Sequence, residues 1–74
     1  MGILKEIAQK RGISISEAKK DAMNIITAVA KELHVRGMPW RQAVGIVAKR
    51  FWELARQKGD FPSIRELTGL AVPY

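Results

Sequence analysis

No cysteine occurs among the 74 residues, so no disulfide can staple the chain and no cysteine-based zinc site exists. A single histidine, His34, leaves no set of imidazoles for a metal centre. Both absences matter for stability. A chain this short makes one domain at most and buries only a small share of its surface. With disulfide and metal excluded, oligomerisation is the remaining supplement, and the expectation is a homodimer or a higher assembly.

The parts of a catalytic site are also scarce. His34 stands beside Leu33, Val35 and Arg36 near the end of a helical pattern, where the helix dipole favours a cationic imidazole. The seven carboxylates are scattered. Glu17 and Asp21 are the one pair a helical turn apart, and they flank Lys19 and Lys20. No glycine-rich loop is placed to cradle a phosphate. The reading is therefore not an enzyme, with no catalytic residue, cofactor, metal or small-molecule substrate.

Long apolar runs are missing too. The longest stretch without a charge is Ala22–Ala30, far short of a membrane span. The opening MGILKEIAQKRG has no apolar core of signal-peptide length. Glu6 stands where a myristoylation signal wants Ser or Thr. A soluble cytoplasmic protein with no membrane partner is expected.

Acid is short relative to base. Thirteen Lys and Arg against seven Asp and Glu give a formal charge of +6, divided evenly between the two halves with no basic tail. Such an excess on a small body favours a polyanionic partner.

What the sequence does have is helical periodicity. Ile3, Leu4, Ile7 and Ala8 share one face of a short helix over residues 2–11, which Gly12 ends. Ile13–Ile15 reads as a tight connection and Ser16 as the N-cap of a helix from about Glu17 to Val35. Its apolar face, Ala18, Ala22, Ile25, Ile26, Val29, Ala30 and Leu33, is wide enough to want a partner subunit. Gly37 closes it. Pro39 suits the start of a third helix reaching about Lys58. Ser63 and Glu66 form a capping box for a short fourth helix, about Ile64 to Thr68, stopped by Gly69. Leu70 and Val72 should fold back on the body. Period-two alternation goes no further than residues 13–16, so the fold class is all-α: four helices, two long and two short, in one domain over residues 1–74.

The third helix shows two faces. Trp40, Ala43, Val44, Val47, Phe51, Leu54 and Ala55 make an apolar stripe for the core. Arg41, Gly45, Lys49, Trp52 and Arg56 make a second stripe that is basic, holds one aromatic and has no acid. Cations along one edge suit phosphates, because each neutralised phosphate releases counterions. An indole among them suits stacking on a base or wedging into a groove. Gly45 weakens the helix, which fits a close backbone approach by nucleic acid or by another helix. The bland alternative is a solvated basic face, with Trp52 in a dimer interface.

Two resemblances bear on this. Gly59, Pro62, Ser63, Arg65, Glu66, Leu67, Gly69 and Leu70, within residues 52–72, resemble the opening of the winged-helix DNA-binding domain of SOS repressors and related bacterial regulators. Ile7, Ala8, Gly12, Ile13, Ser14, Ala18, Ile25 and Leu33, within residues 4–37, resemble the two-helix N-terminal segment of the histone-like HU family. In that family the segment builds the base of a dimer, and β-arms that follow grip DNA. A third helix follows here, so this resemblance implies dimerisation. IAQKRGIS is also similar to the turn of a generic helix-turn-helix.

Together these give an expected homodimer that binds double-stranded DNA mainly through phosphates, as a small regulator or architectural protein. Arg41, Lys49, Trp52 and Arg56 would supply the contacts, with Ser63 and Arg65 at the start of the fourth helix. Lys10, Arg11, Lys19 and Lys20 would form a second patch. The competing expectation is a non-catalytic interaction or assembly subunit of viral or plasmid type. In it the apolar faces and the Trp residues would bury against protein, Val47→Ala or Trp52→Ala would break the assembly, and nucleic acid would play no part.

Overall fold

Glycine and serine set the helix ends. A computed structural model describes residues 2–71: α1 (Ile3–Arg11), α2 (Ile15–Val35), α3 (Trp40–Lys58) and α4 (Ile64–Ala71), with no strand among the described residues. Gly12 takes the left-handed conformation (φ 68°), and the amides of Gly12 and Ile13 donate to the carbonyls of Gln9 and Ala8. These two hydrogen bonds satisfy two of the last carbonyls of α1. Gly59 ends α3 in the same conformation (φ 73°).

The N-cap of α2 is Ser14, not Ser16. Ser14 Oγ accepts from the Glu17 amide at 3.0 Å, and the helix begins at Ile15. Glu17 lies three residues after Ser14, at capping-box spacing, whereas Ser16 is followed at that spacing by Lys19. Replacing Ser14 with Ala should cost about 1 kcal/mol of stability in urea unfolding, and replacing exposed Ser16 under about 0.5 kcal/mol.

The four residues 36–39 turn the chain sharply, so α2 and α3 pack as an antiparallel hairpin. Ala18, Ala22, Ile26, Val29, Ala30 and Leu33 of α2 are buried, as are Ala43, Val47, Phe51 and Ala55 of α3. Ile7 and Ala8 come from α1, Phe61 from the α3–α4 turn and Leu67 from α4. The wide face of α2 is thus covered within one chain, since α1, α3 and α4 all pack on it. That width is no argument for a partner subunit.

Three further expectations change. Gly69 does not stop α4. It lacks a positive φ, and the helix continues to Ala71. Leu70, still helical, is 52% exposed rather than folded back, while Val72 lies outside the described residues. Trp40 leads the apolar stripe but is 40% exposed. It sits at the corner of the hairpin, where the His34 ring meets it edge-on at 5.6 Å.

Candidate nucleic-acid interface

Because side chains repeat about every 100° around a helix, Arg41, Gly45, Lys49, Trp52 and Arg56 fall within a sector of about 80°. The sector faces away from Val47 and Phe51, and the ridge runs about 22 Å along α3. Arg41, Gly45, Lys49 and Arg56 are exposed. Trp52 is half-buried at the ridge's edge, its ring perpendicular to buried Phe51 at 4.8 Å. The indole is therefore anchored on the core through its contact with Phe51. Arg41, Lys49 and Arg56 make no ion pair among the described residues. Beside them Arg50 is engaged, donating to Glu53 at 3.4 Å.

The second patch divides. Lys10, Lys19 and Lys20 are exposed and form no ion pair among the described residues. Arg11 is engaged in the fold. Its Nε donates to Asp60 Oδ1 at 2.8 Å, and its guanidinium lies 4.9 Å above the Phe61 ring. This contact ties the end of α1 to the turn after α3. The hydrogen bond from Arg11 holds the Asp60 carboxyl below the usual carboxylate range, helped by the Phe61 amide at 2.8 Å. The contact also sets Lys10 and Arg11 at the same end of the molecule as Arg56 and Lys58. Arg41 lies toward the opposite end.

At the start of α4 the expected capping box is present. Ser63 Oγ accepts from the Glu66 amide, and the Ser63 amide donates to Glu66 Oε1, each at 3.1 Å. Lys58 donates to the same oxygen at 2.7 Å, and this bond, with the Ser63 amide, draws the Glu66 carboxyl below its usual range. A carboxylate already occupies this helix terminus and works against a phosphate at Ser63. Arg65 is exposed and makes no ion pair among the described residues.

No protein-family model, curated protein or solved structure matches this chain. The resemblances to histone-like and SOS-repressor segments rest on the residues that carry them. The described residues hold no cluster of three or more His, Cys, Asp or Glu that could bind a metal ion. No described helix is long and apolar enough to cross a membrane.

One surface feature is not marked by any stripe or motif in the sequence. Val35 is 84% exposed at the end of α2, and Trp40 is exposed at the start of α3 across the same turn. A depression of about 310 Å³ lies against this turn, lined by Leu33, Arg36, Met38, Pro39 and Gln42. The signal available was that Val35 falls off the apolar stripe of α2. Val47, by contrast, is fully buried and offers nothing to a partner.

Proposed function

We propose that this protein binds double-stranded DNA, mainly through phosphates, along the exposed edge of α3. The observation that carries this reading is the run of three exposed cations, Arg41, Lys49 and Arg56, with no carboxylate paired to them among the described residues. Unpaired cations on one edge retain their full attraction for a polyanion, and a net charge of +6 steers the encounter. Trp52 offers a ring beside them. Lys10, Lys19 and Lys20 extend the basic surface at one end. The role is that of a small regulator or architectural protein, without catalysis.

The working unit is proposed to be a homodimer. Ile15, Met23, Val35, Trp40, Ile64 and Leu70 leave large apolar groups at the surface of one chain, and pairing would cover some of them. Light scattering gives the mass directly.

A second reading is favoured by one specific observation, the exposed pair Val35 and Trp40. In it the chain is an assembly subunit, viral or plasmid-borne, that contacts protein alone. A fluorescence-anisotropy titration with a labelled duplex separates the two. DNA binding should weaken steeply between about 50 and 200 mM salt, with a log–log slope near −2.7 per chain for three phosphate contacts. No binding at the lower salt would leave the assembly reading, in which Val35→Ser or Trp40→Ala disrupts the particle.

A further inference from the structure

Gly45 sits in the middle of the ridge, and nothing in the fold uses it. Its φ is not positive, so no turn geometry requires a glycine there. A Cβ built on it would meet no atom within 4 Å outside its own helical turn, so no neighbouring element requires a bare backbone either. A mid-helix glycine nevertheless weakens a helix relative to alanine. The position is exposed, one turn from Arg41 on one side and one turn from Lys49 on the other. The space within 4 Å of a Cβ at Gly45 is open, and because helical side chains lean toward the N-terminus the Lys49 stem leans toward that space. A missing side chain at that spot opens a notch beneath a cation.

We infer that Gly45 is the seat of one backbone phosphate, which enters the notch between Arg41 and Lys49. This inference rests on the phosphate-binding reading of α3 and locates its closest contact. The absent Cβ lets a phosphate oxygen come nearer to the helix surface toward which Lys49 leans than an alanine would permit. Coulomb attraction and hydrogen bonding both strengthen as that distance shortens. A residue that weakens the helix thereby serves the ligand.

The test uses the full chain, with Gly45→Ala and Gly45→Leu beside the wild type. Thermal midpoints and affinity for a short mixed-sequence duplex are measured at about 100 mM salt. Both variants should fold, with Gly45→Ala melting about 4 °C or more above the wild type. Affinity should fall as the side chain grows, about threefold for Ala and about tenfold for Leu, with a salt slope shallower by about one in the Leu variant. If the wild type binds and both variants bind equally well or better, the seat is wrong while the ridge reading stands. If the wild type does not bind, the ridge reading fails and takes the seat with it. If Gly45→Leu instead lowers the solution mass with affinity unchanged, Gly45 belongs between two copies of the chain and the seat is overturned.

Discussion

Replacing Phe51 with alanine is expected to leave the protein largely unfolded at room temperature. Phe51 is fully buried at the centre of α3. Its ring meets Trp52 at 4.8 Å and Phe61 at 5.5 Å, so it joins the back of the ridge to the turn that leads into α4. Phe to Ala at such a site removes the transferred area and leaves a cavity, at a combined cost of about 3–5 kcal/mol. A domain of this size holds a total margin of about 3–5 kcal/mol, so the loss matches the whole. Circular dichroism should show most of the helical signal gone, with no cooperative melt remaining. Trp52→Ala should be much milder, because that ring is only half-buried. A Phe51→Ala protein melting cooperatively near the wild-type midpoint would place the core elsewhere.

The second large effect is on binding. Lys49→Glu with Arg56→Glu should weaken duplex affinity about 100-fold at about 100 mM salt, because each phosphate contact at that ionic strength is worth about tenfold. Stability should change by under about 0.5 kcal/mol, since both side chains are exposed and neither makes an ion pair among the described residues. The double reversal also lowers net charge, so it needs a control of equal charge. Lys5→Glu with Lys31→Glu provides one, on α1 and α2, with both positions exposed. That control should lose only a few-fold, through long-range steering alone. Equal losses in both double variants would mean that DNA senses total charge and not α3.

The fold was largely readable because its punctuation is strong. Gly12 and Gly59 end helices in the conformation glycine takes most easily, and Pro39 fixes the chain just before α3. The sequence is ambiguous where two candidates compete locally. Ser14 and Ser16 both suit an N-cap, and the spacing of Ser14 to Glu17 held the deciding signal. Glycine is the commonest C-terminal cap, which makes Gly69 look like a stop, yet it stays helical. The breadth of α2's apolar face was legible, but what covers it was not. Three helices of one chain do so, and that follows from tertiary packing rather than from any single stripe.

The ridge was legible for a similar reason. Its members lie on one helix, and helical geometry alone fixes their common side. The second patch was not, because Arg11 finds its acid 49 residues away at Asp60. A pairing over that separation exists only once α1 and the end of α3 have met. Ser63 shows the same limit. Its capping box is legible locally and already sets the Glu66 carboxylate on that helix terminus, whereas the Lys58 ammonium that joins it comes from the end of α3.

The most direct test of the central claim is residue-resolved. Amide and indole proton–nitrogen shifts of the labelled protein are followed as a short duplex is added. The account predicts that the largest changes fall on Arg41, Gly45, Lys49, Arg56 and the Trp52 indole, with smaller ones near Lys10, Lys19 and Lys20. Shifts confined to Val35 through Trp40, or none along α3, would contradict it.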